Sequence, residues 1–217
     1  MVVNQNLIVL DVETGGFLPN QNPLTQIGFI AVDSFNFEVK YKFNSYIKPY
    51  DDSLYINDKA AQLTGITKEK CIKEGRDLKE VLKEICQIFE SLKVSYYLPV
   101  MLGHNLTFDL MYLCDVFNRV FGVNSGKGGV NKLFDYVLQT CMDTMILARH
   151  KFTNNEVADF KLNTLAAYIG YENTHAHDAF ADVETTLEIY KYFIGALRSE
   201  GNNNYQQSQS KEFKFQF

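Results

Sequence analysis

The amino-acid sequence predicts an α/β domain in which helices flank a mixed five-stranded sheet. Two observations support this fold class. Three successive segments between residues 7 and 49 are rich in β-branched and aromatic residues, which is typical of an antiparallel meander. A strand, a helix and another strand follow later in the chain, and this order favours two parallel strands added to the same sheet. A chain of 217 residues is long enough for one core of this size.

The meander starts with LIVLDVETGG, from Leu7 to Gly16, an aliphatic strand that ends in two carboxylates and two glycines. The segments LTQIGFIAVDSF and FEVKYKFNSYIKP supply the other two strands, and DSFN supplies the turn between them. The next regular segment, DLKEVLKEICQIFESL, repeats its apolar residues at intervals of three and four. We expect an amphipathic helix there, capped by Asp77.

The two parallel strands are predicted within YLPVMLGHN and LQTCMDTMILARH, and each strand runs into a helix. The first of these helices is LTFDLMYLCDVFNRVF, which begins after Asn105. Two more helices are predicted in LNTLAAYIG and AFADVETTLEIYKYFIGALR. The segment GVNSGKGGVNKLFD, residues 122–135, lacks the spacing of a phosphate-binding P-loop. It is predicted as a flexible loop, which is either a lid that selects the substrate or a loop without a function.

Composition narrows the possible functions. The net charge of -5 argues against a protein that grips long duplex DNA through a broad basic surface. An acidic protein can still bind a polyanion locally when divalent cations bridge its carboxylates to phosphate. The four cysteines lie far apart without a C-x-x-C pair, so we expect buried free thiols in a reducing compartment.

Domain organisation and location are predicted from the two ends of the sequence. Residues 1–199 are expected to form one domain, and the polar residues 200–217 a disordered tail. The tail ends in KEFKFQF, which either docks in a hydrophobic groove of another protein, adds a strand to a sheet edge, or has no partner. The N-terminus lacks a basic region with a cleavage site, and no apolar run is long enough to span a bilayer. A cytoplasmic protein without membrane contact is expected.

Three distant segments carry acids or imidazoles at the ends of regular elements. Asp11 and Glu13 are two apart on a strand, so their side chains point the same way. Asp109 lies one turn into a helix, where the helix dipole also favours an acid. The segment HAHDAFADVE holds an expected helix cap together with further acids and histidines: His175, His177, Asp178 (the cap), Asp182 and Glu184. Each segment alone has an ordinary structural explanation.

Together the three segments resemble the motifs of the DEDDh (DnaQ-like) 3'-5' exonucleases. This ribonuclease H-like family includes the proofreading exonuclease subunit of bacterial DNA polymerase III, ribonuclease T and oligoribonuclease. Its motif D-x-E-T-[TG]-G matches DVETGG, H-N-x-x-F-D matches HNLTFD, and H-x-x-x-x-D matches HDAFAD. Neighbouring segments such as LTQIGFIAVD, MDTMILAR and LNTLAAYIG match as well, so the resemblance covers residues 6–195.

The resemblance implies a ribonuclease H-like fold and phosphodiester hydrolysis with two divalent cations, Mg²⁺ or Mn²⁺. By the same resemblance, the carboxylates divide between two ions. One ion activates water and the other stabilises the leaving oxygen; the ligands are Asp11, Glu13 and Asp182 for the first, and Asp11 and Asp109 for the second. His177 would be the general base, because an unperturbed imidazole has a pKa of about 6.5.

Two nearby residues compete with this assignment or fall outside it. His175 is the alternative base, although it lies too far before Asp182 for the spacing of the family motif. Glu184 falls on another face of the helix than Asp182, so we expect it to be solvated. Gln26 stands where many relatives carry glutamate, and this difference is expected to affect the second strand rather than the metal cluster.

The resemblance also assigns a set of substrate-binding residues: Thr14, Gly15, Gly16, Phe17, His104, Asn105 and Phe108. The glycines would let backbone N–H groups approach the 3'-terminal nucleotide. Phe17 or Leu18 would stack on terminal bases, with a place in the core as the alternative. His104 and Asn105 would contact sugar or phosphate or fix the strand-to-helix turn, and Asn105 is preferred as the ligand contact.

The function implied is a metal-dependent 3'-5' exonuclease that releases nucleoside 5'-monophosphates from single-stranded or frayed DNA ends, in proofreading or repair. DNA is favoured over RNA as the partner, and a DNA polymerase or sliding clamp would be the protein in whose groove KEFKFQF docks. One alternative is an RNA-processing 3'-5' exoribonuclease of the ribonuclease T or oligoribonuclease type. A second is a non-catalytic binding module associated with a polymerase.

Overall fold

The computed structural model describes residues 5–152 and 156–208, with side chains described as far as residue 199. The sheet contains β1 (Asn6–Thr14), β2 (Leu24–Asp33), β3 (Val39–Tyr46), β4 (Val100–Gly103) and β5 (Met142–Asp143). Their spatial order is β3-β2-β1-β4-β5. The first three strands pair in antiparallel fashion, and β4 and β5 extend the sheet in parallel. The predicted fold class is confirmed.

Helices occupy both faces of this sheet. Their bounds are α1 (Asp58–Thr64), α2 (Lys68–Glu74), α3 (Leu78–Ser91), α4 (Leu106–Phe121), α5 (Thr144–Lys151), α6 (Leu162–Tyr168) and α7 (Ala179–Ser208). The predicted cap is confirmed, because the Asp77 side chain accepts a hydrogen bond from the Glu80 N–H in the first turn of α3. The sequence prediction missed α1 and α2, which are only seven residues long and carry almost no buried side chains.

Two hydrophobic clusters follow from the alternation of side chains along β1. Ile8, Leu10 and Val12 pack against α3 and α4 on one face of the sheet. Leu7 and Val9 point to the opposite face, where they pack against α7. The odd-numbered positions of β1 therefore face α7, and Asp11 and Glu13 continue that row.

Strand β1 is longer than its parallel neighbour. Its last pair with β4 is Val9 with Leu102, whereas its pairing with β2 continues to Thr14. Beyond Val9, one edge of β1 is therefore left without a pairing strand in the described residues. The first turn of α4 lies at this edge, and the start of α7 lies over the neighbouring face of the sheet.

The segment 122–135 is more ordered than the predicted flexible loop. Short 3-10 turns occur at Lys127–Gly129 and Lys132–Asp135. The Asn131 side-chain amide donates to the carbonyl of Cys114 on α4 at 2.9 Å, and Leu133 is fully buried. These contacts attach the segment to α4, in contrast to the flexible loop that the sequence predicts.

Three further predictions concern cysteines, membrane contact and the tail. Cys71 and Cys86 are buried as expected, Cys114 is half-buried, and Cys141 is exposed, which corrects the expectation for that thiol. No helix among the described residues has the length and apolarity to cross a membrane. Helix α7 runs to Ser208, past the predicted boundary at residue 199. The rest of the predicted tail, residues 209–217, lies outside the described residues.

Candidate active site

The site starts from the carboxylates at the end of β1. Asp11 and Glu13 point to the same face of the sheet, as the spacing of two predicts, and they follow the row of Leu7 and Val9 that packs on α7. Glu13 is buried and Asp11 is partly exposed. Both line one cleft at this edge of the sheet.

Asp109 reaches the same cleft from α4. Its Oδ1 atom accepts a hydrogen bond of 2.9 Å from the Val12 N–H, at the edge of β1 that β4 leaves unpaired. Asp109 is buried, in contrast to the usual exposure of an acid in a first helical turn. The position of Asp109 is therefore fixed by the backbone of the strand that carries Asp11 and Glu13.

The third segment contributes residues from the start of α7. Asp178 is the predicted cap, since its Oδ1 atom accepts from the N–H groups of Phe180 and Ala181 at 3.1 and 3.2 Å. Asp182 lies one turn further and is buried. Its Oδ2 atom accepts from the His177 N–H at 3.3 Å, while His177 adopts a left-handed backbone with φ of 67°. The turn before α7 thus places the imidazole and the carboxylate together.

All five residues predicted as catalytic line a single cleft of about 460 Å³: Asp11, Glu13, Asp109, His177 and Asp182. Among them, Glu13, His177 and Asp182 offer ligand atoms that lie within 4.8 Å of one another. The convergence that the motifs imply is present in the folded chain. Their chemical roles remain predictions.

Burial and mutual repulsion both raise the pKa values of the acids that the fold holds close together in the cleft. Burial raises the pKa of Glu13 to about 8, and the neighbouring Asp182 and Asp109 add to this shift. Burial and the charge of Asp109 raise the pKa of Asp11 well above its ordinary value, and burial likewise raises the pKa values of Asp109 and Asp182. The cleft therefore favours protons or other cations at these oxygens.

The donor set fits a hard divalent cation. The carboxylate oxygens of Glu13 and Asp182 are the kind of ligand that Mg²⁺ and Mn²⁺ prefer, and the imidazole of His177 lies beside them. The thiols of Cys71, Cys86, Cys114 and Cys141 do not line the cleft, and the sulfur atom that does is the thioether of Met145. A bound cation would offset the mutual repulsion that raises the pKa values of these acids.

His104 and Asn105 line the cleft, but both ring nitrogens of His104 already have partners within the protein. Its Nε2–H donates to the carbonyl of Phe160 at 2.9 Å, and its Nδ1 lies 2.8 Å from the Thr144 hydroxyl. Burial lowers the pKa of His104, which favours the neutral ring. Of the two alternatives left open by the sequence, these bonds favour fixation of the strand-to-helix turn. Asn105 is exposed and has a left-handed backbone (φ 63°) at the position before α4, where its side chain makes no capping hydrogen bond.

Hydrogen bonds to other residues of the protein fix the glycine turn after β1. The Gly15 N–H donates to the carbonyl of Pro23 at 2.8 Å, and Gly15 does not line the cleft, so its predicted contact with a ligand is not supported. The Gly16 carbonyl accepts from the hydroxyls of Thr14 and Tyr112 at 2.6 and 2.9 Å. A Cβ atom at Gly16 would collide with the side chains of Asn22 and Asn57. Close packing is therefore the reason for glycine here.

A smaller apolar cleft of about 180 Å³ adjoins the carboxylates. It is lined by Thr14, Gly16, Phe17, Phe108 and Leu63 of α1, and it shares Glu13 with the larger cleft. Phe17 is 73% exposed and contacts Phe108 edge to face, with 6.4 Å between ring centroids. The alternative of a core position is thus wrong for Phe17, and Leu18 is also exposed.

The competing residues lie outside the larger cleft. His175 is exposed, with Nδ1 2.9 Å from the Thr174 hydroxyl. Glu184 pairs with Lys42 across 3.2 Å on the surface, as expected for a solvated residue. His177 therefore remains the preferred base.

Sequence reasoning missed the part that three residues play in shaping the site. Asp143 accepts from the N–H groups of Leu106 and Met145, so it caps α4 and α5 together. Gly28 on β2 allows the start of α7 to approach, because a Cβ there would lie 3.0 Å from backbone atoms of Ala179 and Phe180. Gln26 contacts Asp178. Only the match of MDTMILAR and LTQIGFIAVD to the family marked these segments.

Comparison with known proteins identifies the family. The profile described as RNase_T, Exonuclease, matches residues 8–190, which is most of the chain. The chain belongs to this exonuclease family. With the three motifs gathered in one cleft, it is a 3'-5' exonuclease domain of the DEDDh type.

The curated relatives are far longer than this exonuclease chain. DNA polymerase III PolC-type of Caldanaerobacter subterraneus subsp. tengcongensis is 25% identical over 194 residues, covering 89% of this chain and 12% of the relative. The same enzyme of Thermotoga maritima is 24% identical, with the same coverage of each chain. The chain therefore spans about an eighth of the length of these relatives.

Solved structures share the fold of this exonuclease. E. coli Exonuclease I in complex with a dT13 oligonucleotide matches with a TM-score of 0.70 and 24% identity over 93% of this chain and 43% of that chain. The zinc-bound form of the E. coli ExoI–ssDNA complex matches with a TM-score of 0.71 and 24% identity, covering 95% and 43% of the two chains.

Proposed function

We propose that this exonuclease removes nucleotides from the 3' ends of single-stranded or frayed DNA with two divalent cations, Mg²⁺ or Mn²⁺, and releases nucleoside 5'-monophosphates. One observation carries the proposal. Four carboxylates and an imidazole from three distant segments line one cleft, and an apolar cleft adjoins it. The first supplies ligands and a base, and the second accepts a nucleobase.

The carboxylates would hold the two cations. Asp11, Glu13 and Asp182 are assigned to one ion and Asp11 and Asp109 to the other, following the family motifs. Such ions supply activation of water and stabilisation of the leaving oxygen in phosphodiester hydrolysis. The protein fixes the acids beforehand, because Asp109 is bound to the Val12 N–H and Asp182 to the His177 N–H.

His177 would take the proton from the attacking water. Its ring lies within reach of the Glu13 and Asp182 oxygens, so a water near those carboxylates is also near the imidazole. The ring sits on a left-handed turn before a capped helix, which limits its freedom. This arrangement supports His177 rather than the exposed His175.

The apolar cleft supports a single-stranded substrate. Its volume of about 180 Å³ is small, and the exposed ring of Phe17 stands at its wall beside Phe108. Aromatic side chains hold unpaired bases by stacking, which requires the terminal base to leave its partner strand. Thr14 and Gly16 would then lie beside the terminal nucleotide.

The comparisons support DNA as the substrate class. Two of the structural neighbours are complexes of E. coli Exonuclease I with single-stranded DNA, and the curated relatives are DNA polymerases. A role in proofreading or repair is part of the proposal, and this likeness supports it. The predicted contact of KEFKFQF with a polymerase or clamp belongs to the same proposal, as does a cytoplasmic location, which the free thiols support.

The test is an assay on 5'-labelled single-stranded oligonucleotides of DNA and RNA in parallel, with Mn²⁺ or Mg²⁺. We expect a ladder that shortens from the 3' end of DNA, loss of activity with EDTA, and loss in Asp11→Asn. Asp52→Asn, the same change at an exposed position, is the control and should retain activity. Faster cleavage of RNA would replace the DNA proposal by the exoribonuclease alternative. Binding without cleavage would favour the non-catalytic module.

A further inference from the structure

Gln26 is a fully buried residue of β2 that lies opposite Glu13 in the pairing of β1 with β2. Its Nε2 amide donates to Asn44 Oδ1 on β3 and to Asp178 Oδ2, both at 3.0 Å. Its Oε1 atom accepts a longer hydrogen bond of 3.4 Å from the Ala179 N–H. One carboxamide therefore joins the sheet to the first residues of α7.

Chemistry fixes the orientation of this carboxamide. An ionised Asp178 carboxylate can only accept hydrogen bonds, and the Ala179 N–H can only donate. The amide nitrogen must therefore face Asp178 and the amide oxygen must face Ala179. Glutamate at position 26 would offer acceptors alone and would place a second negative charge against Asp178.

Asp178 is the residue through which this contact reaches the cleft. Its Oδ1 atom caps α7, its Oδ2 atom is held by Gln26, and its carbonyl accepts from the Asp182 N–H at 3.0 Å. The preceding residue is His177. A shift of Asp178 would therefore move the imidazole and the adjoining carboxylate together.

Other hydrogen bonds of the 171–179 segment do not replace this contact. Tyr171 and Asn173 bond to residues of α6, and Asn173 also donates to Asp182 Oδ1 at 2.6 Å. Within the described residues, the bonds from this segment to the sheet are those of Gln26. Gln26 thus connects the turn before α7 to β2, the strand that pairs with β1 and its acids Asp11 and Glu13.

We infer that Gln26 is a positioning residue of the exonuclease reaction, which acts through Asp178 to set His177 and Asp182 against Glu13. This inference rests on the proposed function, because it concerns the geometry of that reaction. The side chain itself does not line the cleft and is not expected to touch substrate.

An exchange of donor and acceptor tests the inference. Gln26→Glu sets a carboxylate against a carboxylate, and Asp178→Asn sets an amide against an amide. In the double variant, the amide at position 178 donates to the carboxylate at position 26, and its own oxygen still caps α7. Asn44 can turn its amide to donate to the new carboxylate. Asparagine and aspartate are similar helix caps, so the exchange leaves that role intact.

We expect each single variant to lower kcat by about tenfold, because small displacements of catalytic groups cost up to about 100-fold. The double variant should recover kcat to within about threefold of the wild type, as coupled neighbours do in double-mutant cycles. The KM for a short oligonucleotide should change little. Gln87→Glu on the exposed side of α3 is the matched control and should behave as the wild type.

Several results would overturn the inference. A double variant no more active than the product of the single effects shows that the pair is not coupled. Single variants that unfold at a lower temperature with an unchanged kcat would show a structural role alone.

Absence of nucleotide release by the wild type would instead remove the proposed function. The NMR signals of the His177 ring, recorded without substrate, then decide whether Gln26 positions it. Broadening in Gln26→Glu that the double variant reverses supports the inference, and unchanged signals contradict it.

Discussion

Asp109 and Val12 are joined by a buried hydrogen bond of 2.9 Å, although 97 positions separate them in the sequence. The bond forms because β4 ends at Gly103 and leaves the edge of β1 unpaired beyond Val9. The Asp109 carboxylate therefore completes the bonding of a strand and also stands in the cleft beside Asp11. Only the second role requires a negative charge.

Substitution of Asp109 can separate these roles. Asp109→Asn keeps an oxygen for the Val12 N–H, so stability should be retained while nucleotide release falls by about 100-fold or more, equivalent to about 3 kcal/mol. Asp109→Ala should in addition lose about 1–3 kcal/mol of unfolding free energy, because a buried N–H loses its partner. Urea unfolding and initial rates measure the two effects. Equal unfolding free energies of Asp109→Asn and Asp109→Ala would contradict a structural role of the hydrogen bond to Val12.

The raised pKa of Glu13 predicts the pH dependence of stability without metal. Since the folded pKa of about 8 exceeds the ordinary value of 4.5, the folded chain binds this proton more tightly than the unfolded chain. The contribution to stability is therefore lost as pH rises from about 4.5 to about 8, and Asp11 and Asp182 act in the same direction.

Divalent cations should reverse this loss, because they bind the ionised acids. We expect Mn²⁺ to raise the unfolding temperature more at pH 8 than at about pH 5.5. Thermal unfolding with EDTA and with Mn²⁺ at the two pH values measures the difference. Glu13→Gln is the control and should show a smaller dependence on pH. An equal gain at both pH values would show that these acids do not bind the cation.

Asp143 should matter for both stability and activity. It accepts hydrogen bonds from Leu106 at the start of α4 and from Met145 at the start of α5, at 2.9 and 2.8 Å. Asp143→Ala should lower the unfolding free energy by about 1–2 kcal/mol for each cap. Because α4 carries Asp109, kcat should fall as well. Asp143→Asn keeps one acceptor oxygen and can cap only one of the two helices, because Leu106 and Met145 donate to different oxygens of Asp143. It should therefore retain more of both stability and activity than Asp143→Ala, and a larger loss in Asn than in Ala would refute the capping role.

Two glycines should respond to alanine in opposite ways. Gly28→Ala crowds backbone atoms of Ala179 and Phe180 and should destabilise the chain by about 1–3 kcal/mol and lower kcat. Gly195 lies inside α7 with open space where a Cβ atom would stand, so Gly195→Ala should stabilise by up to about 1 kcal/mol. Chemical unfolding of both variants gives the comparison. If both substitutions destabilise the chain, α7 does not accept an added Cβ atom at Gly195 even though the space there is open.

The sequence predicted those elements whose residues carry a strong periodic pattern. The apolar repeat of α3 and the segment of α4 gave the bounds of these helices closely, and the alternation of β1 placed Asp11 and Glu13 on one face. The five catalytic residues predicted from the three motifs line one cleft, and their roles stay a prediction. The short α1 and α2, which bury few side chains, left no comparable pattern.

The residues whose role sequence reasoning missed act through contacts between distant segments. Gln26 and Asp178 are 152 positions apart, and their hydrogen bond depends on how α7 crosses the sheet. Asp143 is the last residue of β5, and it caps α4 because β4 and β5 end side by side. Local patterns contain no information on such encounters. His104 was ambiguous for the same reason, since its partner Phe160 lies in a different segment.

Strand β1 lies in the middle of the sheet, between β2 and β4, and its residues Leu7 to Leu10 are almost fully buried. Backbone in such a position is among the last parts of a domain to open in the native state. Asp11 and Glu13 are carried by this same strand, just beyond the part that pairs on both edges. Removal of the proposed cations should therefore stop nucleotide release while β1 stays in the sheet, and their return should restore activity without refolding.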